Sequence, residues 1–426
     1  MMYDSSEQRN RVLASLFRYY DGSVFSIRLW DGWQWSSSPG VEPACTIVLR
    51  NEKALKTLLV SPNEIGLGEA FIHRDLDVEG DVFSVFSVAE HILNRQENLH
   101  SRIVAKATQA AIGLGQWMVN GPHHSLARDR AAIAYHYDQP VEFFRPWLGK
   151  SLVYSCAYFR NCDDPLDLAQ EQKLALICDK LRLLRGDRFL DIGCGWGSLP
   201  ICAARHYGAN SLGITLSRAQ YEEARRRIDV SEVGDRCDVV LCDYRRLNRE
   251  PHSFDKIASV GMFEHVGLTN LRQYFRTVRG WLRPGGVFLN HGIARAYDSS
   301  PRKNSFIDHY VFPDGQLVAL SQAIQAAEAE GLEVRDIENL REHYELTLRR
   351  WVAALQANAN DLLRHVSSET YRIWLLYMAG SAAAFRRGSI AVYQLLLSRT
   401  ENGISGLPLT REDWYAESPD RERIEV

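Results

Sequence analysis

The sequence lacks any run of apolar residues that could cross a bilayer, since no window approaches the roughly 18 consecutive apolar residues of such a helix. It also lacks a basic segment followed by an apolar one at its start, so we predict no signal peptide. Its 8 cysteines form no CxxC pair, and none has the histidine spacing of a zinc site. These absences predict a cytoplasmic protein with reduced thiols, whose membrane contact is peripheral.

An excess of one charge is missing too. The formal net charge is −3 over 426 residues, which argues against a surface devoted to nucleic acid. With 46% hydrophobic and 24% charged residues, the composition is typical of a globular protein. The length allows two domains.

Two patterns divide the chain. Between residues 23 and 86, short apolar runs alternate with turn residues, which predicts a small N-terminal α+β domain. The polar stretch at 119–132 indicates a linker, so we predict domains at 1–122 and 123–426. Beyond it, helical segments separate the predicted strands RFLDI, NSLGITLS, CDVVLCDY, FDKIASVGMFEHV and VFLNHGI. This order predicts a doubly wound, mostly parallel α/β sheet, followed by a mainly helical region that includes LRRWVAALQANANDLLRHV and SAAAFRRGSIAVYQLLLSR as helices.

A glycine turn follows the first of these strands, with Gly193, Gly195 and Gly197 in DIGCGWG. Glycines there let the backbone approach a ligand closely. The spacing differs from the GxGxxG of dinucleotide sites, and the next strand ends in Thr215 instead of the acid that would hold a ribose hydroxyl. Asp191, just before the glycines, suits a ligand with a cationic amine. The pattern therefore favours S-adenosylmethionine over NAD, with a purely structural turn as the alternative.

Acidic residues end two other predicted strands. Asp243 and Tyr244 end the third predicted strand, where a carboxylate could bind the exocyclic amine of adenine and the ring could stack on it. A simple turn explains this pair equally well. Glu264 ends the apolar stretch SVGMFEHVG, and a buried carboxylate must be solvated, paired or used. Capping of a helix in EHVGLTN is the alternative.

Seven segments together resemble one enzyme family. They are VYSCAYF, LDIGCGWGSL, GITLSRAQ, SVGMFEHVG, LNHGI, HYELTLRRW and AAFRRGSIAVYQLLLSR. Over roughly residues 125–400 the chain resembles the cyclopropane-fatty-acyl-phospholipid synthases and the related mycolic acid cyclopropane synthases. The N-terminal GEAFIHRDLDVEGDVF is also similar to an extra domain of the phospholipid-acting members.

The resemblance implies a Rossmann-like, S-adenosylmethionine-dependent methyltransferase with helical insertions. Family members transfer the methyl group to a cis double bond in an acyl chain of a membrane phospholipid. The resulting carbocation loses a proton from the new methyl group to bound bicarbonate, and a cyclopropane ring closes. The resemblance further implies a homodimer that contacts the inner face of the membrane peripherally.

The resemblance also assigns residues by motif. The bicarbonate ligands are Cys156, Glu264, His291, Tyr344 and the backbone of Ile293. With Asp191, the implied S-adenosylmethionine contacts are Tyr154, Ser155, Gly193, Gly195, Thr215, Gln220, Asp243 and Tyr244. We expect His265 to point away from the bicarbonate site. The HYD motif at 136–138 fits a family pattern near the substrate entrance.

Several alternatives stay open. Cys156, Glu264 and His291 could bind a metal, but the ligands are scattered and mixed, so we predict none. The same alkene could be methylated to a methylene-branched chain. Methylation of a small molecule, or a non-catalytic lipid-binding role, is less consistent with the intact motifs. Residues 292–294 read Gly-Ile-Ala where many members carry Thr-Ile-Gly, a difference that could reshape the acyl pocket.

The surface that would meet the membrane has two groups of candidates. One is the aromatic set Trp30, Trp33 and Trp35, and the other consists of paired arginines at 349–350 and 386–387. Core tryptophans and solvated charges explain these residues equally well.

Overall fold

A computed structural model describes residues 6–60, 62–97, 139–296, 305–312 and 315–415. The predicted linker at 119–132 and the HYD motif at 136–138 lie outside the described residues. The chain divides into two compact units. The first unit comprises Met1–His123, Lys303–Val311 and Val366–Ala383, and the second comprises His124–Arg302, Phe312–His365 and Ala384–Val426.

The helices and strands are numbered in chain order over the described residues. The helices are α1 (Ser6–Leu16), α2 (Glu52–Leu59), α3 (Glu64–Ile72), α4 (Val85–Glu97), α5 (Val141–Leu148), α6 (Leu166–Leu181), α7 (Ser198–Tyr207), α8 (Arg218–Val230), α9 (Leu271–Trp281), α10 (Phe306–Tyr310), α11 (Leu320–Ala329), α12 (Arg341–Ala357), α13 (Ala359–Leu362), α14 (Ser368–Arg386) and α15 (Glu412–Tyr415). The strands are β1 (Phe25–Arg28), β2 (Gln34–Ser36), β3 (Cys45–Leu49), β4 (Leu76–Gly80), β5 (Arg188–Ile192), β6 (Asn210–Thr215), β7 (Cys237–Leu241), β8 (Phe254–Val260), β9 (Leu282–Arg295), β10 (Glu333–Asn339) and β11 (Ile390–Ser398). Within the described ranges, no helix is long and apolar enough to span a membrane.

The first unit contains a four-stranded sheet in the order β2-β1-β3-β4. β1 and β3 are parallel, and the outer strands pair with them antiparallel. Asparagine side chains cap α2 and α3, where Asn51 accepts from the backbone of Ala54 and Asn63 accepts from that of Gly66. Trp35 stacks on Phe17 with ring centroids 5.6 Å apart. The N-terminal region is thus a small α+β structure, as predicted.

A buried arginine ties α14 into the first unit. The Arg372 guanidinium donates to the carbonyl oxygens of Phe71 at 2.6 Å and Leu76 at 3.1 Å, and to the Asp77 carboxylate at 3.1 Å. It also lies 3.8 Å from the centroid of the Phe71 ring. Because burial leaves each of these polar groups dependent on the others, this contact set stabilises the unit.

The second unit contains a seven-stranded sheet in the order β10-β11-β9-β8-β5-β6-β7. Strands β5 to β9 pair in parallel, whereas β11 is antiparallel to both β9 and β10. Successive residues of β8 join different apolar clusters, Ile257 one and Ala258 the other. Because strand side chains alternate between faces, the sheet is covered on both sides. The predicted doubly wound, mostly parallel α/β sheet is confirmed.

Two predicted elements are wrong. The predicted fourth strand ran to Val266, but β8 ends at Val260, where Gly261 adopts a φ of +68° and Phe263–His265 form a single 3₁₀ turn. The predicted helix SAAAFRRGSIAVYQLLLSR is helical only to Arg386, and its second half is β11. Neighbours bury β11 on both faces, so its apolar residues do not alternate with polar ones and imitate a helix in sequence.

Candidate active site

The carboxyl ends of the parallel strands lie at one edge of the second unit's sheet, and a cavity opens there. Clefts at this position of an open α/β sheet are where small-molecule ligands bind. All nine residues predicted to bind S-adenosylmethionine line the cavity: Tyr154, Ser155, Asp191, Gly193, Gly195, Thr215, Gln220, Asp243 and Tyr244.

The glycine turn between β5 and α7 contributes Gly193 and Gly195 to the cavity lining. Gly193 and Gly195 have φ angles of +83° and +55°, which L side chains rarely adopt. A Cβ at Gly193 would lie 2.9 Å from the Cβ of Met262. The turn is fixed to β6 because the backbone N–H groups of residues 193 and 194 both donate to the Ile214 carbonyl oxygen at 2.9 Å. Glycine is therefore needed at 193 for conformation and space.

Asp191 brings an ionisable group to the cavity. It is 2% exposed, and its Oδ1 atom has no hydrogen-bond partner among the described residues. Burial raises the pKa of Asp191 to about 7, and the nearby ammonium of Lys173 opposes this shift. A cationic ligand beside the carboxylate would favour its charged form.

Lys173 is a functional candidate that sequence reasoning missed. It lies in α6, lines the cavity and donates to the Ser155 hydroxyl at 3.0 Å. Burial lowers the pKa of Lys173 to about 8, while Cys156 and Asp191 oppose that shift. The available signal was a lysine inside the apolar helical stretch QKLALIC, because a buried lysine needs a partner or a function.

Four of the predicted cofactor residues also interact with other side chains that line the cavity. The Thr215 hydroxyl donates to the side-chain oxygen of Gln220 at 2.8 Å. The Asp243 carboxylate forms an ion pair with Arg245 at 2.7 Å, and the Arg245 guanidinium lies 5.6 Å from the Tyr244 ring centroid. Arg245 was not predicted and lines the same cavity. His265 also lines this cavity, so it faces the cofactor region.

Glu264 is held by a free backbone donor of β9. The β8–β9 pairing ends with Val260 opposite His291, and the Gly261 N–H donates to the His291 carbonyl at 2.9 Å. Beyond this point β9 has no β8 partner, and the Ile293 N–H donates instead to Glu264 Oε1 at 2.7 Å. The second oxygen, Oε2, is buried and has no partner among the described residues. Burial raises the pKa of Glu264 to about 7, and the bond from Ile293 opposes this effect.

His291 lies two residues before Ile293 on β9. It is 1% exposed, and its Nδ1 atom lies 3.3 Å from the Gln394 amide nitrogen on β11. Its Nε2 atom is buried without a partner in the described part of the chain. Burial, followed by Lys173 and Lys180, lowers the pKa of His291 to about 3. The imidazole is therefore neutral at physiological pH.

The Cys156 thiol and the Tyr344 backbone N–H both donate to the carbonyl of Leu340, the residue before α12. The Leu340 N–H donates to the Val392 carbonyl at 2.8 Å, and Val392 pairs with Ile293 across β9 and β11. The Leu340 carbonyl in turn accepts from the Tyr344 N–H at 3.0 Å and from the Cys156 thiol at 3.7 Å. This backbone chain links both residues to the strand that carries His291 and Ile293.

The environment of Cys156 keeps its thiol protonated. The residue is completely buried, and burial raises the pKa of the thiol above its usual value. The Ala157 carbonyl oxygen, 3.2 Å from the sulfur, is a second acceptor available to the single thiol proton. A protonated thiol is a weak nucleophile but a possible hydrogen-bond donor.

Gly292 points away from this group. Residues 290, 292 and 294 lie on the same face of β9. Asn290, Gly292 and Ala294 line a small cavity there, together with Phe263. A Cβ at residue 292 would lie 2.9 Å from the Phe263 Cβ. The difference from the family pattern therefore lies on the opposite face of β9 from His291.

Comparisons with known proteins identify the family of the chain. Residues 124–395 match the family described as mycolic acid cyclopropane synthetase, and residues 12–101 match a domain of unknown function (DUF7884). The chain is similar to a probable fatty acid methyltransferase of Pseudomonas putida, with 40% identity over 91% of this chain and 95% of that protein. It is also similar to the Escherichia coli cyclopropane-fatty-acyl-phospholipid synthase, with 37% identity over 63% of this chain and 68% of that protein.

Solved structures support the same assignment. Mycolic acid cyclopropane synthase CmaA1 complexed with SAH and CTAB is 34% identical, with a TM-score of 0.60, and the match covers 63% of this chain and 97% of that one. Cyclopropane synthase MmaA2 from Mycobacterium tuberculosis is 32% identical over the same shares, also with a TM-score of 0.60. The chain therefore belongs to the mycolic acid cyclopropane synthetase family and is an S-adenosylmethionine-dependent methyltransferase.

Proposed function

We propose that the protein transfers a methylene group from S-adenosylmethionine to the cis double bond of unsaturated phospholipid acyl chains, which forms a cyclopropane ring. Bicarbonate, held by Cys156, Glu264, His291, Ile293 and Tyr344, would act as the base. The observation that carries the proposal is a pair of buried polar atoms without partners among the described residues, Glu264 Oε2 in the 3₁₀ turn after β8 and His291 Nε2 on the neighbouring strand β9.

The cavity chemistry fits S-adenosylmethionine. The glycine turn leaves room for close backbone approach, and the unpartnered Asp191 carboxylate oxygen suits a cationic amine. S-adenosylmethionine supplies an electrophilic methyl group on its sulfonium. Tyr154, Ser155, Thr215 and Gln220 would orient the molecule, and Asp243 and Tyr244 would contact its adenine.

The anion site fits bicarbonate by its charge. A protonated thiol at Cys156 and a neutral imidazole at His291 carry no negative charge. Because the pKa of Glu264 is raised to about 7, the carboxyl can share a proton with a bound anion. Bound bicarbonate would supply the base and negative charge beside the acyl chain, where positive charge develops. The burial of these side chains excludes water that would otherwise trap that charge.

Methylation of the same alkene to a branched chain is the second candidate. It is favoured by the name and extent of the Pseudomonas putida match, a probable fatty acid methyltransferase aligned over 91% of this chain. Both reactions would use the same cofactor and differ in where the proton is lost. Product structure therefore separates them.

Membrane contact, an inner-face location and a homodimer complete the proposal. In the first unit, Trp30 is 45% exposed, which suits an interfacial anchor. Trp35 packs on Phe17 and Trp33 donates to the Ser6 hydroxyl at 2.9 Å, so these two have roles within the unit. The fraction of protein that sediments with anionic vesicles should be lower for the Trp30→Ser variant than for wild type. The molar mass from light scattering should be that of a dimer.

The decisive experiment incubates the purified chain with S-adenosylmethionine, bicarbonate and vesicles of a monounsaturated phospholipid, followed by gas chromatography and mass spectrometry of the fatty acids. A product one methylene heavier without an alkene supports cyclopropanation. The same mass gain with a retained alkene supports branching. Glu264→Ala should abolish the product, whereas Glu222→Ala, at an exposed position, should retain it. An unchanged lipid with intact cofactor binding would refute the proposal.

A further inference from the structure

A line of buried polar side chains leads from His291 to the far edge of the sheet. His291 and Gln394 are cross-strand partners on β9 and β11. The Gln394 side-chain oxygen accepts from the Lys180 ammonium at 2.7 Å, and Lys180 forms an ion pair with Glu338 on β10. The Lys180 side chain is completely buried, and Gln394 is 1% exposed. None of these three partners was predicted from the sequence.

The direction of each hydrogen bond follows from what its members can do. An ammonium donates and has no acceptor, so the Gln394 atom facing Lys180 must be the oxygen. The amide nitrogen of Gln394 then faces His291 Nδ1 at 3.3 Å. That nitrogen only donates, so Nδ1 must be the acceptor and carry no proton. In a neutral imidazole the single proton is consequently on Nε2.

We infer that Lys180 and Gln394 are positioning residues that hold His291 in the Nε2–H tautomer and so present an N–H donor to the anion in the active site. The buried Nε2 atom, which has no partner among the described residues, is where this donor would act. The pairing register of β9 and β11 fixes Gln394 opposite His291. Two groups stabilise the charged Lys180: the Glu338 carboxylate and the Trp414 ring, whose centroid lies 5.7 Å from Lys180 Nζ.

The inference deepens the proposed function, because it names the anion as the acceptor for Nε2–H. It also gives a role to the buried Lys180, whose contacts are with Gln394 on β11 and Glu338 on β10. Partners of a metal-ligating histidine set its tautomer and ring orientation, and their loss typically costs about 10- to 100-fold in metal affinity or activity. We expect an effect of the same scale for an anion bound by His291. Neither Lys180 nor Gln394 touches the reacting atoms in this arrangement.

The test measures the tautomer directly in the full-length protein without lipid or bicarbonate. Histidine labelled with ¹⁵N at both ring nitrogens distinguishes a protonated nitrogen from an unprotonated one by chemical shift and by coupling to ring protons. The His291 signals are those lost in His291→Gln, or those moved in Lys180→Met if the first variant is unstable. The expected spectrum has unprotonated Nδ1 and protonated Nε2.

Gln394→Glu should invert the arrangement while it preserves side-chain shape. A carboxylate opposite Nδ1 only accepts, so His291 must protonate Nδ1. Asn290→Asp is the matched control. Asn290 is a buried amide next to His291 on β9, and its side-chain oxygen accepts from the Tyr274 hydroxyl at 2.9 Å. We expect Gln394→Glu to gain an Nδ1 proton signal and to raise the KM for bicarbonate about 10- to 100-fold, with cofactor affinity unchanged, and Asn290→Asp to retain the wild-type tautomer.

An Nδ1–H tautomer in the wild type, or an unchanged tautomer in a folded Gln394→Glu variant, would overturn the inference. Both results can occur in an enzyme that makes cyclopropanes, so they leave the proposed function intact. Conversely, a protein that binds no lipid can still show the Nε2–H tautomer. The two proposals therefore fail separately.

Discussion

Replacing Glu264 by glutamine should remove a pH-dependent part of the protein's stability. The folded protein raises the pKa of this carboxyl from 4.5 to about 7, chiefly through burial. The folded state therefore binds the proton more tightly than the unfolded chain. The resulting stabilisation is fully present below about pH 4.5 and is lost as the pH rises through about 7.

The magnitude follows from about 1.4 kcal/mol for each tenfold change in the acid constant. Between pH 5 and pH 8, Glu264 should reduce the free energy of unfolding by about 2 to 3 kcal/mol. Glutamine does not titrate and can still accept from the Ile293 N–H, so Glu264→Gln should lack this loss. Any fixed cost of burying the new amide is equal at both pH values and cancels.

Urea unfolding of both proteins at pH 5 and pH 8 measures this difference. Wild type should lose about 2 to 3 kcal/mol more than Glu264→Gln on going to pH 8, and other titrating groups, including Asp191, cancel because both proteins contain them. Glu222→Gln is the control, since Glu222 is 62% exposed and pairs with Arg218 on the surface. If wild type and Glu264→Gln lose the same free energy between the two pH values, the carboxyl is not the buried, proton-binding group described above.

Three further changes test other parts of the structure. Gly193→Ala places a Cβ 2.9 Å from that of Met262 at a φ of +83°, so calorimetry should show at least about tenfold weaker cofactor binding; unchanged binding would contradict a role of the glycine turn in holding the cofactor. Lys173→Met removes the cation that favours ionised Asp191, so cofactor affinity at pH 7 should fall and recover as the pH rises; a loss independent of pH would contradict this account. Arg372→Met should weaken the first unit by about 2 kcal/mol or more, seen as faster hydrogen exchange there; unchanged exchange would show that its three hydrogen bonds are unimportant.

The sequence predicted more of the residues that line the cofactor cavity than of those around the proposed bicarbonate site. The glycine turn, Asp191 and the strand-end residues are local in sequence, and the cavity contains every one of them. Lys173 and Arg245 escaped because a helix pattern does not show which face meets a ligand. On the anion side, only family resemblance brought Tyr344 near His291, since the connection passes through backbone atoms of Leu340 and Val392.

The prediction of a helix in place of β11 explains why Gln394 and Lys180 were not identified from the sequence. Read as a helix, Gln394 has no reason to face His291, and the line to Lys180 disappears. As a buried strand it sets Gln394 opposite His291 by register alone. A pattern of apolar residues cannot distinguish these two cases when both faces of a strand are buried. The pairing depends on long-range contacts that the sequence does not display.

The charges around His291 bear on how the proposed site would bind an anion without a cation in direct contact with it. Burial, followed by Lys173 and Lys180, lowers the pKa of His291, so the imidazole stays neutral while two ammonium groups contribute positive potential. Each ammonium is itself held by another group, Lys173 by Ser155 and Lys180 by Gln394 and Glu338. A cation in direct contact would hold the anion strongly and lower its basicity, whereas neutral donors backed by distant positive charge bind it and leave it able to accept a proton. Removing either lysine should therefore weaken anion binding even though neither is one of the proposed ligands.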